Sequence, residues 1–411
     1  MHNPPLNARR WISPSAVIAV AQLLGTSLWF SANSAAQDLA HAWNIGESDI
    51  GWLTSAVQAG FITGTLFMAL AAMADRFRAS RIFALSAIAG AFFNACFAWF
   101  SHGLPDALLY RFLVGFSLAG IYPLGMKLIV SWEPRRTGMA LAQLVAMLTL
   151  GTALPHLLRA LGAGLPWQTV ILASSVLALI GGGLIYALGE GPHLPSVRSR
   201  GDAGAARGRA AVLSAFNARP FRAAAWGYFG HMWELYAFWT IVPILVSRTA
   251  LAHLAPGWGV SGVSFAIIGA GALGCIAGGM LTRRFDCAPV ALGALAISGT
   301  CGLIFVLSWP VLPPLSLAAL MAIWGASVVA DSPQFSALSA RSCPADMVGS
   351  ALAIQTSIGF AITVVSISLS TELLVRMGLN AVWLLIPGPI VGLAGYVLTV
   401  RGGGGRRAAL A

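Results

Sequence analysis

The stretch EGPHLPSVRSRGDAGAARGRAAVLSAFNARPFR, Glu190 to Arg222, decides how the chain is organised. It carries six arginines and no sustained apolar run, and it separates two blocks that are apolar almost throughout. Over the whole sequence 58% of residues are hydrophobic and only 9% are charged. A chain of 411 residues with that composition cannot cover a soluble core with a polar shell. It reads as a membrane protein. Apolar runs long enough to cross a hydrocarbon core, about 20 residues each, fall at 13–36, 50–74, 81–101, 106–131, 138–160 and 167–189 before the stretch. After it they fall at 222–247, 261–282, 288–309, 312–336, 347–371 and 379–400. The expected fold class is all-α, with twelve transmembrane helices in two pseudo-symmetric six-helix halves. Residues 1–189 and 222–400 form the halves, 190–221 the linker and 401–411 a tail.

Arginine and lysine in short loops are retained on the cytoplasmic side of a membrane. Nineteen arginines fall on the side of the linker and both termini, among them Arg9, Arg10, Arg135 and Arg136, against Arg159, Arg248 and Arg376 on the other. Both termini are therefore expected to be cytoplasmic, in a multi-pass protein of the bacterial inner (cell) membrane. The formal charge of +11 reflects this topology and calls for no nucleic-acid partner; the partner that composition requires is the lipid bilayer. Arg9 and Arg10 ahead of an apolar run, with ANSAAQ after it, also fit a cleaved signal peptide. Cleavage would remove one helix and spoil the six-plus-six count. The five cysteines form no CxxC pair and read as small apolar fillers, so neither a metal nor another cofactor is expected. A monomer is the expected state.

The halves echo one another at a nearly fixed offset. ADRFRASR, with Asp75, Arg76 and Arg81, is matched by TRRFDCAP, with Arg283 and Arg284. Pro123, Pro134 and the GMALA from Gly138 are matched by Pro333, Pro344 and the GSALA from Gly349. Internal duplication of this kind is the architecture of secondary transporters, which rock one half against the other around a central site.

The segment Ala71 to Arg81 resembles the G-x-x-x-D-R-x-G-x-R-R signature between the second and third helices of the major facilitator superfamily. Asp75, Arg76 and Arg81 match, whereas Ala71, Arg78 and Ser80 depart. Arg111 and Gly115 resemble the R-x-x-x-G element of that family's fourth helix. The resemblance implies twelve helices and alternating access, with Asp75, Arg76 and Arg81 acting as a conformational latch against the start of the eleventh helix; the other reading is a topology anchor. It also implies that the first, fourth, seventh and tenth helices line the pathway.

On those helices, polar and aromatic residues repeat at helical spacing. Gln22, Thr26, Trp29 and Asn33 share one face of the first helix, and Gly227, His231, Glu234 and Phe238 share one face of the seventh. Ser327, Asp331 and Gln334 do so on the tenth. Counting from Arg222 and Arg341 at about 1.5 Å per residue, Glu234 and Asp331 lie near the midplane. A carboxylate there usually faces water or a partner. Glu234 with His231 and Asp331 is the expected proton-coupling group; a structural bond from Glu234 to a neighbouring helix is the alternative. Arg111 is placed within reach of the outer interface as an anchor or packing residue. Lys127 lies between a pathway position and one that snorkels to the cytosol.

The expected solute contacts are Gln22, Thr26, Trp29, Asn33, Tyr122, Lys127, Trp233, Phe238, Ser327 and Gln334. Midplane aromatics such as Trp29, Trp233 and Tyr236 suit an organic solute with apolar surface. The leading expectation is a proton-coupled carrier of a small neutral or cationic organic solute. An anion permease using Lys127 and a transporter-like sensor that moves nothing are the alternatives. No nucleotide loop or nucleophile constellation supports an enzyme. Topology gives the first test: reporters fused after Ala205 and at the C-terminus should both report a cytosolic location, and an external signal from either would break the six-plus-six reading.

Overall fold

The computed structural model describes residues 13–71, 73–133, 137–193, 214–343 and 348–401; within these, the side chains of Ala74, Asp75, Thr137, Ser214 and residues 348–350 lie outside the description. Among the described residues every regular element is a helix. The first half contains α1, built of Pro14–Thr26, Ser31–Ser34 and Ala36–Trp43, then α2 (Glu47–Leu70), α3 (Ala79–Phe100), α4 (Leu104–Trp132), α5 (Thr137–Leu161) and α6 (Trp167–Leu188). The second contains α7 (Arg219–Ser247), α8 (Gly259–Leu281), α9 (Cys287–Ser308), α10 (Pro314–Arg341), α11 (Val348–Met377) and α12 (Pro387–Arg401). Most ends fall within about a turn of expectation. The exceptions are α1, α10 and α11, which run on to Trp43, Arg341 and Met377, and α12, whose first expected turns form a 3-10 segment, Gly378–Leu384.

The halves meet along two seams, α5 against α8 and α2 against α11. Within each half close backbone approach between helices depends on glycine. A Cβ on Gly115 of α4 would come within 2.0 Å of the Val57 carbonyl on α2, and one on Gly325 of α10 within 2.0 Å of the Ile267 carbonyl on α8. Gly115 and Gly325, like Val57 and Ile267, are 210 residues apart. The duplication thus extends to which backbone atoms touch. Pro123 and Pro333 mark the same event in both halves, since α4 is interrupted at 119–121 and α10 at Asp331, just ahead of each proline.

Interruption of α1 at 27–30 has no proline to explain it. What holds it is a side chain. Arg111 of α4 donates through Nη2 to the carbonyls of Leu28 and Trp29 at 3.1 and 2.5 Å, and through Nη1 to Ser31 Oγ and Asn94 Oδ1, both at 3.1 Å. Asn94 of α3 passes the network on, donating to the Ile171 carbonyl and Ser175 Oγ of α6. Arg111 is fully buried against α1 and α3, so it is a packing residue, and the reading of it as an anchor at the outer interface is corrected. It satisfies carbonyls that a broken helix would otherwise leave unpartnered in hydrocarbon.

The glycine contacts predict a selective cost. Gly115→Ala and Gly325→Ala should each lower the thermal midpoint of the purified protein by several degrees, as overpacking of about 1–3 kcal/mol implies. Gly293→Ala, where an added Cβ meets nothing within 4 Å, should leave it unchanged or raise it.

Candidate functional site

Four residues expected on one face of α7 do share a face, and its neighbours are now defined. Gly227 packs on the Phe335 ring, and Phe238 lies on Trp324 with ring centroids 4.4 Å apart. Between them, His231 Nδ1 approaches Asp331 Oδ1 at 2.8 Å and Glu234 Oε1 accepts from Trp324 Nε1 at 2.7 Å. The face is turned toward α10 inside the second half, away from the seam between halves. Phe238 is accordingly a packing residue there. Asp331 stands where α10 is interrupted, which aims its carboxylate at His231.

This cluster is closed off from solvent. His231 and Glu234 are each 1% exposed and Asp331 0%. Several of its atoms lack a hydrogen-bond partner: Glu234 Oε2, both carboxylate oxygens of Asp331 and both ring nitrogens of His231. The His231–Asp331 approach has the distance of an ion pair without the alignment of a hydrogen bond. Ser298 of α9, a buried residue, brings its hydroxyl close to Glu234 as a further neighbour. Two acids and an imidazole in such surroundings form a polar cluster whose charge changes with one proton. Ionisable groups of this kind inside membrane spans mark ion and proton pathways.

The opposite face of α7 does look at the seam. Tyr236 and Trp239 join Trp29 and Phe30 of α1, Phe61 of α2 and Phe360 of α11 in a layer of six rings contributed by both halves. Trp29 has centroid distances of 4.9 Å to Phe61 and 5.7 Å to both Tyr236 and Phe360; Phe61 and Phe360 are 4.4 Å apart. Phe30 stacks on Tyr236 at 6.3 Å and meets Trp239 at 6.1 Å. The Trp29 indole donates to Gln58 Oε1 at 3.2 Å. Phe61, Gln58 and Phe360 had no signal in the pattern of lining helices, because they sit on α2 and α11. Pairing across the seam brings those two helices in.

Other expected contacts are spread apart. Gln22 packs on Gly125 of α4, and Thr26 donates to the Gln22 and Leu148 carbonyls beside Gly151, so both face α4 and α5. Asn33 donates to Thr54 Oγ1 at 2.8 Å. Trp233 packs on Gly388 of α12, and its indole donates to the Leu384 carbonyl at the end of the 3-10 segment ahead of that helix at 2.7 Å. Ser327 bonds back to its own helix at Ile323 and Trp324, and Gln334 lies beside Gly278 of α8. Tyr122 and Lys127 are half-buried on the part of α4 nearer the linker. Of the expected latch, Arg76 and Arg81 are exposed, while the Asp75 side chain and residues 344–347 ahead of α11 lie outside the description. In the same loop Glu190 accepts from the Ala79 amide at 2.6 Å and approaches Arg78 at 3.7 Å, a carboxylate at the positive end of α3.

On the face away from the linker the halves are tied together. Arg248 at the end of α7 donates to Glu47 at the start of α2 at 2.5 Å, Ser55 and Ser368 hydroxyls are 3.1 Å apart, and Gly51 packs directly on Thr371.

The model of the Major Facilitator Superfamily matches residues 18–367. The chain belongs to that superfamily. Superposition agrees: a D-xylose–proton symporter has a TM-score of 0.72 over 94% of this chain and 96% of its own, at 15% identity. The human organic anion transporter MFSD10 (TETRAN) has a TM-score of 0.67 over 94% and 98%, at 17% identity. The 3-(3-hydroxy-phenyl)propionate transporter of Escherichia coli (strain K12) is 31% identical over 153 residues, 36% of this chain and 37% of that protein's length. This chain is a multi-pass membrane protein of a superfamily of transporters, which are not enzymes.

The far-side ties predict a gate. Arg248→Glu should raise labelling of Ser34→Cys by an impermeant maleimide about fivefold at most, the scale of a partly exposed ion pair. Adding Glu47→Arg should restore the original rate; labelling that stays fast in the reversed pair would leave the bridge without a gating role.

Proposed function

We propose that this chain is a proton-coupled secondary carrier of a small organic solute with aromatic surface, working by alternating access. Its expected setting is a bacterial cell membrane with both termini in the cytosol. The observation that carries the proposal is the buried acid–imidazole cluster between α7 and α10, placed directly behind the ring layer. Helix α7 has Glu234 on one face and Tyr236 and Trp239 on the other. A proton gained or lost at Glu234 changes what holds α7 to Trp324 and α10, and any resulting shift of α7 moves the rings on its far face. Coupling then needs no direct contact between proton and solute.

The ring layer supports an aromatic or similarly flat solute, which could replace ring-to-ring contacts with its own when the halves part. The sequence relative named for an aromatic propionate and the structural neighbour named for proton symport both agree with this reading. That same propionate relative favours a second reading, in which the solute is an organic anion and Lys127 on α4 receives its charge.

Glu234→Gln keeps a hydrogen-bonding side chain of nearly the same size but cannot cycle a proton. In proteoliposomes screened with aromatic solutes, uphill accumulation driven by a proton gradient should vanish in this variant while solute-for-solute exchange persists. Full gradient-driven accumulation would make Glu234 structural.

A further inference from the structure

Beyond the ring layer, on the face away from the linker, a cavity of about 210 Å³ spans both halves. It lies between α1, α2 and α5 on one side and α7 and α8 on the other. Asn33 and Thr240, each four residues beyond a ring of the layer, form its floor, and the Thr240 hydroxyl is bonded to the Tyr236 carbonyl at 2.7 Å.

Most of the buried polar groups in the cavity wall are already committed. Asn33 donates to Thr54, and the Ser34, Thr240 and Ser247 hydroxyls donate back into their own helices. Arg159 is held at 2.7 Å by both the Leu165 carbonyl and Asp38, and one Glu47 oxygen is taken by Arg248. Two buried atoms of the lining are left without a partner. They are Nε2 of His156, a residue only 1% exposed, and Oε2 of Glu47.

We propose that this cavity is a binding site distinct from the ring layer, which takes the neutral, hydroxyl-bearing end of a solute, with His156 Nε2 as the recognition atom. Charge argues for a neutral group. An anionic head would meet Asp38 and Glu47, a cationic one Arg159 and Arg248, and each of these is already neutralised by its partner. A hydroxyl can donate to Glu47 Oε2, which only accepts, and can donate to or accept from an imidazole nitrogen. Size argues for a single ring, since a cavity of roughly 150 Å³ admits benzene. The proposed site rests on the carrier reading only for its place on a transport route.

The test uses resorcinol and its dimethyl ether, of one framework with and without donors, bound to the full chain in nanodiscs and measured calorimetrically against empty nanodiscs. Resorcinol should bind wild type about tenfold or more tightly than the ether, the worth of one buried hydrogen bond. His156→Phe should reduce that ratio below about threefold, and His156→Gln, which keeps a hydrogen-bonding end, should retain most of it. Where the Phe variant does not fold, His156→Leu takes its place. Resorcinol should also slow maleimide labelling of Ser261→Cys on the cavity wall. A ratio that survives loss of the imidazole, labelling indifferent to resorcinol, or no binding to wild type overturns the site. Failure of proton-driven flux alongside an intact ratio would instead overturn the carrier reading and leave the site standing.

Discussion

One guanidinium makes the first half possible. Hydrocarbon supplies no hydrogen-bond partners, so a membrane helix can be broken only where the protein itself satisfies the freed carbonyls. Arg111 does this for α1, and through Ser31 and Asn94 the same group ties α1, α3, α4 and α6 together. The break sets the position of Trp29 and Phe30, which lie within it and supply two of the six seam rings. A guanidinium facing backbone oxygens is a static device, since its donors are set in one rigid planar fork.

The second half repeats the scaffold without that device. Met321, 210 residues beyond Arg111, is fully buried and apolar, and α7, the counterpart of α1, runs unbroken from Arg219 to Ser247. At the position matching Trp29 along the helix stands Glu234. Duplicated backbones thus carry different polar groups, with a guanidinium bracing a helix break in one half and two buried acids set between α7 and α10 in the other. The glycine contacts show what was conserved between the copies, namely the closeness of α2 to α4 and of α8 to α10.

Spans and halves were legible because insertion into a bilayer is decided by apolar length, which is a property of the sequence alone. The orientation of side chains was less so. Helical spacing placed His231 and Glu234 on one face of α7 but could not say whether that face met the other half or α10, since both neighbours are apolar. On α1 the break at 27–30 resets the helical phase, so Gln22, Thr26, Trp29 and Asn33 do not form the continuous stripe that a period of 3.6 would give. Arg111 was misplaced for a related reason: depth counted from Asp106 allowed it to reach the interface, and nothing local announced that α1 would present bare carbonyls. The Gly115 and Gly325 contacts were hidden among 46 glycines.

The layer of packed rings is also an electrical barrier. A membrane's voltage falls mainly across whatever part of the path is least hydrated, and here that part is a dry aromatic seam with water-reachable space beginning just beyond it. A charge carried past the seam is acted on by most of the potential, worth roughly 2.3 kcal/mol per elementary charge per 100 mV. A charge that stays on one side of it gains almost nothing. The position of that one layer of rings therefore fixes where in this molecule electrical energy can be turned into work.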